Sequence, residues 1–275
     1  MKSKFRNYAI LIFLLTAVSV MSCDDGNSDF GGVTFPTFPF RNTAFEATAP
    51  FSFEVEVGTR SLLRLQGIND QMTMTGISGA HSIMITGIRR VGSESIQDAE
   101  DHVGELQVNV QSLANEVLLE TIHAQDPEGR KYVVEYTITL PKNLEVHVAN
   151  ANGIVTLDSI ENDVTVNNAN GNVTFIDIIG SVFTNVANGT IESDVTLPLH
   201  GTIDLNMGNG NINLAIPANT SAGFSAMVSI GSIRVSNLVL QNEVSTPTSR
   251  RGTLGNGQGT ISLETGNGNI RVSGF

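Results

Sequence analysis

The sequence predicts an all-β protein whose main body is a single-stranded parallel β-helix, a β-solenoid of expected right-handed sense, behind an N-terminal β-rich cap carrying one short helix. Three observations predict it. Glycines 153, 171, 189, 210 and 231 recur at intervals of 18, 18, 21 and 21 residues, a period that belongs to stacked repeat architectures. Apolar residues alternate with polar ones on both sides of each glycine, the pattern of strands with one buried face. An asparagine directly precedes four of the five glycines, so a corner repeats together with the strands.

Composition sets the frame for every element. The 275 residues carry 27 Asp+Glu against 15 Lys+Arg, a formal net charge of −12. This is the wrong sign for neutralising phosphates and argues against a nucleic-acid partner. A single cysteine can form neither an internal disulfide nor a thiolate metal cluster. With 40% hydrophobic and 15% charged residues, the chain is apolar enough for a packed core.

Residues 1–22 read as a signal peptide. Lys2, Lys4 and Arg6 form a basic start, and Ala9 to Val20 is an apolar stretch broken only by Thr16 and Ser19, too short for a comfortable membrane span. The run Val20-Met21-Ser22-Cys23 resembles a bacterial lipobox, with the chain's only cysteine at the position that is lipidated. Cys23 is therefore expected to anchor the mature protein to the membrane; a plain signal peptide with a chance cysteine is the alternative. Removing residues 1–22 takes three cations and no acids, leaving 12 against 27 and a net charge of −15. Asp24 and Asp25 resemble sorting determinants, which retain some lipoproteins at the inner membrane and export others. The expected location is the bacterial cell envelope, at the outer membrane, facing either the periplasm or the surface.

Residues 23–49 read as a tether, rich in glycine and proline. Five phenylalanines, Phe30, Phe35, Phe38, Phe40 and Phe45, imply that part of it packs on the domain. Residues 50–142 read as strands and one helix that start the solenoid. Phe53, Val55 and Val57 alternate with Glu54 and Glu56, Met72 and Met74 flank Thr73, and Ile83 to Ile85 is apolar, with Gly58, Gly76 and Gly87 as terminators. Ile96, Ala99, Val103 and Leu106 recur at helical spacing, with Ser95 and Asp98 placed to cap the N-terminus. Strands follow at Val108–Val110, Val117–Ile122 and Val133–Leu140, the last two expected to form a hairpin turned by Pro127 and Gly129.

Residues 143–275 hold the repeats. Two and four residues after each glycine stand Val155 and Leu157, Val173 and Phe175, Ile191 and Ser193, Ile212 and Leu214, Ile233 and Val235; nine of these ten are apolar. Seven and five before come Val146 and Val148, Val164 and Val166, Val182 and Thr184, Ile203 and Leu205, Phe224 and Ala226. Each unit is then strand, turn, strand. The structural turns are Asn152-Gly153, Asn170-Gly171, Asn188-Gly189 and Asn209-Gly210, where glycine supplies the positive backbone angle. Stacked asparagines are expected to hydrogen-bond along the pile as a ladder. The three extra residues of the longer repeats fall at one corner, between the second strand and the next first strand. Ile261, Leu263, Asn267, Gly268, Ile270 and Val272 repeat the unit again after a polar loop at 241–257. Hairpin strands share this alternation, but connections of six to nine residues that contain Ile160 and Ile178 favour a solenoid over an antiparallel sheet.

Residues 51–275 resemble the bacterial putative-adhesin family of β-strand-repeat domains, a domain family of unknown function, and are similar to the head domains of putative autotransporter adhesins. The resemblance lies in "LRLQGINDQMTMTG", in "TGIRRVGSES" leading into the helix, in "VVEYTITLPKNLEVHV", and in the units "NANGIVTL", "NANGNVTF" and "MGNGNINL". It implies a surface-binding role and carries over no catalytic residue.

The residues themselves supply little chemistry. Lyase catalysis needs a base and a cation, and between Asn143 and Leu240 the only Lys or Arg is Arg234. Asp158, Asp177 and Asp194 fall about one per repeat and are the candidates for a carboxylate row, whether as a hydrolase pair or as weak calcium ligands; corner-turn capping is the plainer role for them. His81, His102, His123, His147 and His200 form no sequence cluster, and His147 between Val146 and Val148 is expected to face outward. No cofactor is implied. The mature chain's aromatic supply for sugar stacking is Tyr132 and Tyr136, with no tryptophan. The expected protein is a non-enzymatic, adhesin-like module presenting an acidic, Asn/Thr-rich face to a glycan or protein of the cell surface or matrix. A self-assembling envelope scaffold and a carbohydrate-active β-helix enzyme are the alternatives.

Overall fold

A computed structural model of the protein describes residues 43–124 and 128–275. The signal segment, Cys23, most of the tether and Pro127 lie outside the described residues. In chain order the elements are β1 (Phe45–Glu56), β2 (Leu62–Gln66), β3 (Asp70–Ile77), β4 (Ser82–Ser93), α1 (Ile96–His102), β5 (Gln107–Ser112), β6 (Glu116–Ile122), β7 (Lys131–Pro141), β8 (Glu145–Asn152) and β9 (Val155–Asp158). The repeats continue as β10 (Val164–Ile179), β11 (Val182–Thr196), β12 (Thr202–Ile216), β13 (Ala222–Ser236), β14 (Gln241–Ser245), β15 (Ser249–Leu254) and β16 (Gly259–Gly274).

The parallel strands stack as the turns of a solenoid, each turn made of a first strand, a corner and a second strand. The stack runs β6/β7, β2/β3, β8/β9, β10, β11, β12, β16, β13. From β10 on, a single long strand supplies both halves. Pairing is in register: Val164 lies between Val146 and Val182, and Val173 between Val155 and Ile191. Because side chains alternate faces, register puts like positions in rows. The inward rows Val146-Val164-Val182-Ile203 and Val155-Val173-Ile191-Ile212 are fully buried.

A further inward row lies three residues before each corner glycine: Asn150, Asn168, Val186, Met207, Thr265 and Val228 are all buried. Its polar members are satisfied by corner carbonyls. Asn168 Nδ2 donates to Gly153 O at 3.1 Å, and Thr265 Oγ1 to Gly210 O at 3.0 Å.

The corners are bends in unbroken strands, whereas the sequence suggests tight turns. The ladder runs through them, Asn170 pairing with Asn188 and Gly171 with Gly189. Gly171 has φ +128°, and a Cβ built on it would stand 1.8 Å from Gly153 O. Glycine is required there by both backbone angle and space. The extra residues of the longer repeat sit at one corner as expected: β11 and β12 stay in register from Val182/Ile203 to Asp194/Ala215, and the insertion lies in the loop that follows.

Several expectations are corrected. β6 and β7 are not a hairpin; they are the two sides of the first turn of the solenoid, joined by a long corner, with β2 and β3 beside them. The antiparallel pairs in this region are β5–β6, β4–β7 and β1–β4, which close the N-terminal end. Phe45 to Ala49, assigned to the tether, belong to β1 and pair with Arg89 to Ser93; Pro50 is tolerated because β1 is an edge strand. Gly87 does not end a strand but sits inside β4, where its missing Cβ leaves room for the Phe51 ring. Residues 241–257 are not a loop, since β14 and β15 form a hairpin that pairs with Ala222–Met227 of β13. β16 does not follow β13 in the stack but lies between β12 and β13.

The helix matches its expected cap: Ser95 Oγ accepts from Asp98 N at 3.1 Å. Arg130 grips Asp98 with two donors at 2.8 Å each, tying α1 to the start of β7. That guanidinium holds the Asp98 carboxyl well below the usual carboxylate range, helped by the Ser93 hydroxyl.

Inward and outward positions should differ sharply on substitution. Val173→Asp buries an unpaired charge and should destabilise the protein by several kcal/mol, against about 0.5 kcal/mol for Thr174→Asp on the outer face. Urea denaturation of the two variants measures the contrast; equal losses would contradict the assignment of faces.

Candidate functional site

The corner asparagines share one outer edge of the solenoid and join into a ladder. Asn170 Nδ2 donates to Asn152 Oδ1 at 2.9 Å, Asn188 to Asn170 at 2.8 Å, Asn209 to Asn188 at 2.9 Å and Asn267 to Asn209 at 2.7 Å. Asn152 extends the chain to Asn69 at 2.7 Å. The ladder stops at β13, where Ile230 takes the asparagine position and is 69% exposed. Each amide donates one N–H along the ladder, while the edge as a whole faces solvent. A second polar row runs beside it: Asn269 Nδ2 donates to Asn211 Oδ1 at 3.2 Å, and Ser232 Oγ donates to Asn269 Oδ1 at 2.7 Å. The result is a fixed lattice of amides and hydroxyls at the inter-strand spacing of about 4.8 Å.

The aspartates do not converge on one site. A bulge at Ile176–Asp177 puts Asp177 in the left-handed region, φ 49°, and breaks the row. Asp158 therefore pairs across from Ile176 and accepts from Ser159 Oγ at 2.8 Å. Asp194 has its carboxyl raised, first by burial and then by the charge of Asp177. Among the described residues no group of three His, Cys, Asp or Glu is placed to hold a metal ion. The histidines are dispersed as well. His147 faces outward, with Nε2 2.6 Å from Glu145 Oε1, and His102 Nδ1 donates to Asp98 O at 2.7 Å at the end of α1.

One buried polar cluster escaped the sequence reading. Asp70 opens β3 at the corner position that glycine fills in the repeats: a Cβ on Gly153 would stand 1.9 Å from Asp70 O. Its side chain is 1% exposed. Thr121 Oγ1 donates to Asp70 Oδ2 at 2.6 Å and lies 2.8 Å from the Tyr136 hydroxyl, which donates to it in turn. Asn150 Nδ2 closes the cluster on Asp70 O at 3.2 Å. Burial pushes the Asp70 carboxyl up to about 6, against the opposing hydrogen bond from Thr121. Tyr136 is raised by burial and by the Asp70 charge, so it remains a donor. The available signal was Asp70 standing where the other turns carry glycine, but it becomes visible only once β3 is aligned with β9. A sealed cluster of this kind orders the first turns and offers no access to substrate.

These features define the class: a short parallel β-solenoid domain with a self-bonded polar corner and no convergent catalytic set among the described residues. Residues 144–273 match the family model described as Toastrack DUF4097, which bears out the resemblance to a strand-repeat domain family of unknown function. Among solved structures the chain is similar to that of a putative cell adhesion protein from Clostridium sporogenes ATCC 15579. The identity is 12% and the TM-score 0.47, over 83% of this chain and 100% of the other. It is also similar to a putative adhesin from Bacteroides fragilis NCTC 9343, at 16% identity and TM-score 0.29 over 82% and 97% of the two chains. A putative adhesin from Parabacteroides distasonis ATCC 8503 gives 11% identity and TM-score 0.25 over 82% and 97%. No curated protein matches.

The Asp70 carboxyl makes stability depend on pH. Its folded value lies above the unfolded one, so its contribution is complete below the unfolded value of 3.8 and is lost as pH rises through about 6. Asp70→Asn removes this titration. The stability of the variant relative to the wild type should shift in the variant's favour by on the order of 2 kcal/mol between pH 4 and pH 8. Urea melts across that range test it; a gap that does not change with pH would place the proton elsewhere.

Proposed function

We propose that the protein is a lipid-anchored, non-catalytic envelope protein whose solenoid presents a rigid Asn/Thr/Ser face to a ligand of the cell surface or matrix. The observation that carries this reading is the outer lattice, in which five asparagine-to-asparagine bonds run from Asn267 to Asn69. A preordered face loses little side-chain entropy on binding. Its polar groups are exposed, while the titratable groups of the Asp70 cluster are sealed.

Cys23 supplies the anchor in this reading, through the lipobox-like run that precedes it, and the tether lets the domain stand off the membrane. The second reading, a scaffold assembling through its ends, is favoured by one feature: the hairpin β14–β15 covers only the first half of β13, so Gly231–Ser236 has no outer strand partner among the described residues.

Two measurements test the proposal together. Cys23→Ala should release the folded protein from the membrane fraction with its melting temperature unchanged, because the anchor lies outside the core; an unmodified Cys23 in the native mature protein would end the lipoprotein reading. Binding of the purified mature protein to cells and matrix should change by less than about tenfold on combining Asp158→Asn with Asp177→Asn, since recognition is spread over many contacts. Glycan cleavage abolished by that pair would replace a binding module with an enzyme.

A further inference from the structure

Two cations stand alone on the acidic solenoid. Arg234 on β13 and Arg271 on β16 are the only Lys or Arg within Glu145–Ser236 and Gly259–Gly274. They are 37 residues apart in sequence, yet register makes them direct neighbours on the outer face of the second strands. Arg64, Arg90, Arg130 and Arg250 each pair with a carboxylate; these two have no such partner among the described residues, and both are exposed. Like charges on adjacent strands destabilise a sheet unless something answers them.

The same face carries an open groove of about 450 Å³ along the solenoid axis. One wall is the row Glu192, Asn213, Arg271, Arg234. The floor beside it, two residues further along each strand, is made of small side chains such as Ser273 and Ser236. The two ends differ in chemistry. At the acidic end Asn213 Nδ2 donates to Glu192 Oε1 at 2.6 Å, a pair suited to sugar hydroxyls. At the other end the two guanidinium forks offer paired N–H groups to an oxyanion.

We propose that this groove binds an acidic polysaccharide, with Arg234 and Arg271 gripping its oxyanions, whether uronate carboxylate or sulfate ester. The assignment rests on the binding-module reading and names its ligand class. Ligands lying in the groove meet the same side-chain position at every turn, at steps of about 4.8 Å. A pyranose ring is about as long as one step, whereas an extended peptide rises about 3.3 Å per residue and falls out of phase. Edge protection, a common use of a charge on an unpaired strand, accounts for Arg234 on β13 but not for Arg271, which lies one turn inside. The surrounding negative charge repels a polyanion everywhere else, so binding is confined to this groove and is sensitive to salt.

The test is titration calorimetry of the purified mature protein with a polygalacturonate oligosaccharide, a heparan sulfate oligosaccharide and neutral dextran, alongside the cell and matrix binding assay. At least one acidic probe should bind saturably, and which one does identifies the oxyanion; dextran should not bind. Arg234→Gln combined with Arg271→Gln should lower the affinity at least about tenfold with an unchanged melting temperature, and Arg251→Gln on β15 should leave it within about twofold. The assignment falls if neither acidic probe binds, if dextran binds as well, or if the double variant keeps the wild-type affinity. In those cases, continued binding of the wild type to cells or matrix leaves the binding-module reading standing, and its absence removes that reading too.

Discussion

The fold depends on how closely successive corners approach. Gly171, Gly189, Gly210 and Gly268 each sit so near the turn below that an added Cβ would stand 1.8 to 1.9 Å from the preceding corner's carbonyl oxygen. No side chain survives that distance, and the φ values of 128° to 153° would strain one even in open space. Close corners lock the register, because a slip of one residue would drive a Cβ into a carbonyl and reverse every inward side chain. The buried rows and the asparagine ladder both follow from this registration. The ladder lies one residue from the pinned glycines, where spacing between turns is held most tightly.

The alternation on both sides of each glycine was legible because strand period and repeat period reinforce each other. Val146, Val164 and Val182 are recognisable as a row from sequence alone. The partner of a strand is a different kind of information. β6 and β7 have the composition of a hairpin and a turn-forming Gly129 between them, and nothing local shows that each pairs with a strand of the β2–β3 turn instead. Likewise β16 carries the same unit as any turn, so its place between β12 and β13 is set by the path of the connection. One local signal did mark the end of the stack: Ile230 replaces asparagine in the repeat of Gly231, whereas Asn267 keeps it in the repeat of Gly268. An asparagine is useful only where the ladder continues.

The site was legible to a similar depth. The corner asparagines announced themselves through repetition. The Asp row misled, because even spacing in sequence is undone by a single bulge at Ile176–Asp177. The Asp70 cluster joins residues 51 and 80 positions away, Thr121 and Asn150, and such closure depends on the stacking order of the first turns. Arg234 stood out as the lone cation of its region, but its neighbour Arg271 belongs to a strand on the far side of the β14–β15 hairpin and comes beside it only through pairing.

In a structure where each turn touches only its neighbours, stability varies from turn to turn. β11 is the weakest of the described turns by polar satisfaction: Thr184 and Ser193 are both buried, and neither hydroxyl has a hydrogen-bond partner. Each such group costs on the order of 1–3 kcal/mol. Volume explains part of the choice. Ser193 lies directly across from Phe175, the largest fully buried side chain of the repeats, and a small residue there leaves space for the ring. The bulge that displaces Asp177 falls between the same two turns, so the irregularities of the stack are concentrated at one interface. The flanking ladder bonds, Asn188 to Asn170 and Asn209 to Asn188, bridge that interface from outside. The exposed lattice is therefore structural as well as a surface for contact: it ties together the turns whose interior holds them least firmly.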